Sequence, residues 1–79
     1  MKAYIFTFGV GHQYGRSAVR IEAPDYYAAR AKMTREFGLD WGFQYEEDEY
    51  YEEWEKAGIQ PYPIKFELTA KKVSEEIKS

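Results

Sequence analysis

Residues 3–38, AYIFTFGVGHQYGRSAVRIEAPDYYAARAKMTREFG, decide the fold. The first segment, Ala3–Phe8, is β-branched and aromatic and is apolar on both faces, which predicts a central strand. The next, Gly9–Gly15, contains three glycines and predicts a turn. In Arg16–Glu22 apolar and polar side chains alternate, which predicts a half-buried strand. Together the three segments predict a β-hairpin.

A helix is predicted directly after this hairpin. Asp25, next to Pro24, can accept hydrogen bonds from the first free N–H groups of a helix, and its charge suits the positive helix end. Gly38 stands where a left-handed residue commonly ends a helix, and Leu39 is placed for the hydrophobic contact of that cap. The helix is therefore expected over about 25–37. Its apolar stripe, at spacings of three and four residues, is Tyr26, Ala29, Met33 and Phe37.

The second half of the chain predicts strand, helix and strand. Apolar residues alternate in 41–45 (WGFQY) and again in 64–68 (IKFEL), which is typical of strands. From Glu46 the period becomes helical, and Gly58 is expected to end this second helix. Its apolar side is expected to hold Tyr50, Tyr51, Trp54 and Ala57.

The predicted fold class is α+β, with the order ββαβαβ in a single domain over 1–79. We expect an antiparallel or mixed sheet with both helices packed on one face. The polar tail, residues 71–79, is expected to fray.

Composition excludes several functions. The chain has no cysteine, so disulfides and thiolate metal sites are excluded, and His12 is its only histidine. We therefore predict no metal, no cofactor and no catalytic residue. Basic residues are few and are offset by acids, so direct nucleic-acid binding is not expected. No segment predicts a signal peptide or a membrane span, which favours the cytoplasm.

Aromatic residues are unusually frequent. Five Phe, eight Tyr and two Trp exceed what a core of 79 residues can bury. Surface aromatics often mark an interface, so a homo-oligomer, a dimer or higher, is expected.

The glycine-rich turn is the first candidate site. It fails the dinucleotide fingerprint, because Tyr14 stands where the third glycine belongs and because a strand follows it. One interpretation is a flexible hairpin. The other is a loop whose bare N–H groups and Arg16 hold an anion, while nearby side chains supply donors and stacking faces. The candidate ligand-binding residues are Gly9, Gly11, His12, Gln13, Tyr14, Arg16, Trp41 and Tyr45.

The acidic stretch 46–55 is the second candidate. It carries seven carboxylates and no basic residue. A solvated helix face is the ordinary interpretation. The functional one is a surface that imitates a nucleic-acid backbone and docks on a basic groove. The residues of this alternative are Glu49, Glu52, Glu53, Glu55 and Tyr51.

A set of segments resembles small bacteriophage and mobile-element accessory proteins. They are YIFTFGVGH (4–12), VRIEAPDYYAARAKM (19–33), FG (37–38) and WGFQYEE (41–47). The resemblance implies a counter-defence protein in the host bacterial cytoplasm, and it carries over no functional residue. The leading hypothesis is sequestration, without turnover, of a small nucleotide-like immune signal. The alternative is an acidic inhibitor of a host defence complex such as a CRISPR effector, and an enzyme of unknown type is third.

Overall fold

The computed structural model describes residues 1–9 and 11–71. The tail predicted to fray lies outside the described residues, apart from Lys71. The elements follow the predicted order ββαβαβ. They are β1 (Lys2–Phe8), β2 (Ala18–Ala23), α1 (Tyr26–Phe37), β3 (Trp41–Glu46), α2 (Glu47–Lys56) and β4 (Ile64–Thr69).

The four strands form one mixed sheet in the order β3-β1-β2-β4. β1 pairs antiparallel with both β2 and β3, and β2 pairs parallel with β4. The predicted α+β class, mixed sheet and central first strand are therefore confirmed.

The two helices pack on opposite faces of the sheet, which corrects the expectation of a shared face. Met33 of α1 belongs to a buried cluster with Phe6 of β1, whereas Tyr50 of α2 packs with Ile5 and Ala18. Side chains alternate between faces along a strand, so Phe6 and Ile5 point in opposite directions. A central strand that is apolar on both faces needs a cover on each, and α2 supplies the second one.

The ends of α1 confirm the cap at Asp25 and correct one detail at the other end. The Asp25 carboxylate accepts a hydrogen bond from the Ala28 N–H at 2.8 Å. Gly38 has φ 74°, which favours glycine, and its N–H donates to the Thr34 carbonyl at 2.8 Å. Leu39 is 82% exposed, so it makes no such cap contact. The chain turns into β3 immediately after it.

Helix α2 ends as predicted at Gly58, which has φ 72°. The Gly58 N–H donates to the Glu55 carbonyl and the Ile59 N–H donates to the Trp54 carbonyl, the two bonds of a Schellman motif. Tyr51, predicted on the apolar side, is 40% exposed and so lies at the margin of the packed face.

Candidate functional site

The loop between β1 and β2 is a compact series of turns. His12 N–H donates to the Gly9 carbonyl, Gly15 N–H to the His12 carbonyl and Ser17 N–H to the Tyr14 carbonyl, at 2.9–3.1 Å. The Tyr14 N–H donates to Nδ1 of His12 at 3.0 Å. Much of the backbone that could serve an anion is therefore already used inside the loop.

Two of the loop glycines are required by this geometry. Gly11 has φ 92°, a conformation that L side chains rarely adopt. A Cβ on Gly15 would lie 3.0 Å from the His12 carbonyl oxygen and 3.3 Å from that of Gly9. A Cβ on Gly9 would meet nothing within 4 Å. The number of glycines thus reflects the tightness of the turns and is not by itself evidence of a ligand.

The rings of His12 and Tyr14 close the end of the core on the α1 side. His12 stacks on Phe8 with centroids 4.4 Å apart, and Tyr14 meets Phe37 and Phe66 edge-on at 6.4 and 5.3 Å. Because Nδ1 of His12 accepts a hydrogen bond, the proton of the neutral ring lies on Nε2. Both side chains therefore anchor the loop, a role the sequence interpretation did not give them.

An open pocket of about 600 Å³ lies along this loop. It brings together five of the predicted ligand-binding residues and adds Gly15, Ser17 and Tyr62. Its lining is Gly11, His12, Gln13, Tyr14, Gly15, Arg16, Ser17 and Tyr62.

Tyr62 is the pocket residue that sequence reasoning missed. It precedes β4, whose parallel pairing with β2 brings this segment to the loop, and the Ala18 N–H donates to the Pro63 carbonyl at 2.9 Å. Its own N–H donates to the Tyr50 hydroxyl at 2.8 Å. Burial raises the pKa of Tyr50 above its usual value, and the hydrogen bond from Tyr62 opposes that rise. Tyr50 therefore connects α2 to one wall of the pocket.

Arg16 gives the pocket a positive charge, and α2 begins with its acids far from it but ends close to it, where Trp54 packs on Tyr62. Arg16 is exposed and forms no ion pair with residues 1–9 or 11–71. The acidic start of α2 follows Glu46, which pairs with Tyr4 near the start of β1. The loop follows Phe8, four residues further along that strand, or about 13 Å. The first carboxylates of α2 therefore lie at the other end of the sheet.

Trp41 and Tyr45, both predicted for this site, lie outside the pocket and on opposite sheet faces. The β3 register shifts so that Thr7 pairs with Phe43 and Phe8 with Trp41, which leaves Gly42 as an extra residue. Trp41 therefore joins the α1 side, whereas Tyr45 packs with the α2-side cluster.

The Trp41 ring is also covered on its α1 side. It meets Phe6 edge-on at 5.1 Å, and the Arg30 guanidinium lies 4.7 Å from its centroid. Its role in the fold is packing, and the bulge places its ring on the opposite face of β3 from those of Phe43 and Tyr45.

The acidic helix splits into paired and unpaired carboxylates. Glu47 accepts a 2.6 Å hydrogen bond from Arg20, which also donates to Glu22 at 2.9 Å. These contacts raise the pKa of the Arg20 guanidinium. Glu52 pairs with Lys56 at 3.3 Å across one exposed helical turn. The exposed α2 carboxylates without an ion pair in the described part of the chain are Asp48, Glu49, Glu53 and Glu55.

Residues 1–9 and 11–71 contain neither a metal-binding cluster nor a membrane-spanning helix. No group of three or more His, Asp or Glu side chains there is arranged to hold a metal ion. Within the same residues, no helix has the length and apolar character to cross a membrane.

The comparisons with known proteins add no assignment. No protein-family model, no curated protein and no solved structure matches the chain. The resemblance to phage accessory proteins stays a prediction.

Proposed function

We propose that the protein sequesters a small anionic, nucleotide-like ligand in the loop pocket without turnover. The observation that carries this proposal is an exposed Arg16, without an ion pair in the described chain, on a pocket of about 600 Å³. Pockets that hold small ligands commonly measure about 300–1,000 Å³. In the context of the resembled phage proteins, the ligand is a nucleotide immune signal of the host.

The pocket has the donors that a phosphate requires. A guanidinium offers two parallel N–H groups to phosphate oxygens, and Arg16 supplies that fork. The N–H groups of Gly11, Gln13 and Arg16 donate to no other described residue. Tyr62 lines the same pocket and gives it an aromatic wall for a base.

Capture without turnover agrees with the state of His12. The pocket lining contains one serine, Ser17, and no threonine. His12 is the only histidine in this lining. Activation of Ser17 needs a basic ring nitrogen. Nδ1 of His12 already accepts the Tyr14 N–H, so in the neutral ring the proton lies on Nε2. The ring therefore has no free lone pair for a hydroxyl.

Calorimetry and native mass spectrometry against a panel of linear and cyclic nucleotides test the proposal. We expect one or more of them to bind, and to be recovered intact after the protein is denatured. Arg16→Gln is expected to weaken binding at least tenfold, because a charge-assisted bond is worth about 1.5–3 kcal/mol. Lys71→Gln removes the same charge at the far end of the sheet and is expected to change little. Cleaved product, or equal losses in both variants, would contradict the proposal.

A second candidate function is docking of α2 on a basic groove of a host defence protein. The observation that favours it is the set of exposed carboxylates without ion pairs, beside the 40% exposed Tyr51. Replacing Glu49, Glu52, Glu53 and Glu55 together with glutamine is expected to abolish inhibition in cells without unfolding the protein. Binding that hardly depends on salt concentration would argue against this candidate.

A further inference from the structure

The two edges of the sheet are protected unequally. β4 is preceded by Pro61 and Pro63 and exposes Lys65 and Glu67, features that discourage pairing with another strand. β3 has no proline and no charge from Trp41 to Tyr45, and no strand of residues 1–9 and 11–71 pairs with its outer side. Apart from the bulge at Gly42, the outer N–H and C=O groups of β3 have no strand partner among the described residues.

An exposed aromatic strip runs along this open edge on the α2 face. Phe43 is 65% exposed, and its ring lies 6.3 Å from that of Tyr45. Tyr45 in turn contacts the buried Tyr50 of α2 at 5.4 Å. An added strand would lay its side chains on these rings, as cross-strand neighbours do.

Helix α2 directs two unpaired carboxylates over the same edge. Glu47 bonds Arg20 of β2, and Trp54 packs on Tyr62, so these two residues mark the β2 side of the helix. The buried Tyr50 marks the side that faces the sheet. At 100° per residue, Glu49 and Glu53 flank Tyr50 on the side away from Glu47 and Trp54, and so lie toward β3. Four helical residues span about 6 Å and two strand residues about 7 Å, so the spacing of Glu49 and Glu53 matches that of Tyr45 and Phe43.

We propose that the β3 edge binds an extended, basic segment of a partner protein, which adds a fifth strand to the sheet. Backbone bonds would come from β3, an apolar surface from Phe43, and charge contacts from Glu49 and Glu53. A second copy of the chain is a poorer occupant. Pairing of two copies at this edge would bring two α2 helices together. Each helix carries six carboxylates and one basic residue, Lys56, so the two helices would repel each other. The inference rests on the second candidate function and is independent of the loop pocket.

The test uses a blocked decapeptide of alternating lysine and threonine, with a glutamate–threonine peptide as its control. Nuclear magnetic resonance of the labelled protein is expected to show amide shifts and slowed hydrogen exchange at residues 41–46. Glu49→Gln with Glu53→Gln is expected to weaken binding about tenfold. The matched pair Glu52→Gln with Glu55→Gln removes the same charge from the outer helix face and is expected to change binding less than about twofold.

Three results would overturn the inference. Equal losses in the two double variants, without protection at 41–46, would leave the acidic docking function standing but remove the strand. No binding of the lysine peptide would also overturn it. Sedimentation that shows a dimer of the full chain, abolished by Phe43→Lys, would assign the edge to a second copy.

Discussion

The hydroxyl of Tyr50 is the clearest single point at which the second helix supports the pocket. The side chain is fully buried, and its oxygen accepts the Tyr62 N–H at 2.8 Å. Tyr50→Phe keeps the ring and leaves that N–H without an acceptor. Because such a group costs about 1–3 kcal/mol, we expect the free energy of unfolding to fall by about 1.5 kcal/mol. In a domain of this size the melting temperature should fall by about 6–12 °C.

Urea denaturation of matched variants measures this effect. Tyr51→Phe removes the hydroxyl of the neighbouring, 40% exposed tyrosine and is expected to change stability by less than about 0.5 kcal/mol. If Tyr50→Phe is as stable as the unmodified protein, or if both variants lose the same amount, then the hydrogen bond to Tyr62 does not secure the connection to β4.

The pH dependence of stability provides a second measurement on the same residue. Burial raises the pKa of Tyr50, so the folded state retains the phenol proton to a higher pH than the unfolded chain does. The resulting stabilisation is complete below the unfolded value of about 10 and is lost as the pH rises through the folded-state pKa. Over that interval the unmodified protein should lose up to about 1.4 kcal/mol per pH unit more than Tyr50→Phe does. Parallel stability curves for the two proteins would refute this reasoning.

Three further variants test other parts of the account. Asp25→Ala removes the 2.8 Å bond from the Ala28 N–H and should cost about 1 kcal/mol in urea denaturation; no loss would mean that the cap is not needed. Gly15→Ala places a Cβ 3.0 Å from the His12 carbonyl oxygen and should lower the free energy of unfolding by about 1–3 kcal/mol in urea. An unchanged urea midpoint would show that the loop is less tightly packed. Arg16→Gln should leave stability within about 0.5 kcal/mol, because this residue has no ion pair in the described chain; a large loss would indicate a structural role.

The elements were predictable because local signals agree with the fold. The cap at Asp25, the glycines that end both helices and the alternation in the strands act over a few residues and are visible in the sequence. Because β1 is apolar on both faces, the sequence also indicated that the two helices cover opposite faces of the sheet. Since Ile5 and Phe6 are both fully buried, each face of this strand must be covered.

The candidate site was predictable only in part, because long-range pairing assembles it. The loop residues from Gly11 to Arg16 are adjacent in sequence and line one pocket. Tyr62 joins them only through the parallel pairing of β4 with β2. Trp41 does not line this pocket, because β3 and β4 are opposite edge strands of the sheet, and that strand order is not visible in the sequence.

The same limit applies to the roles of the loop rings. His12 and Tyr14 are typical ligand-binding residues by type, and the sequence gives no sign that the loop folds back on the core. Tyr14 also contacts Phe37 of α1 and Phe66 of β4, which are distant from the loop in sequence. This packing leaves Arg16 and Gln13 as the exposed side chains of the pocket on which the proposed binding depends.

Anion capture by the loop pocket is the central claim, and a nuclear magnetic resonance titration of the labelled full chain tests it most directly. Each nucleotide of the calorimetric panel is titrated in turn. We expect saturable amide shifts at residues 11–17 and at Tyr62, with the loss of those shifts in Arg16→Gln. The absence of shifts throughout the panel, or shifts confined to α2 and β3, would contradict the claim.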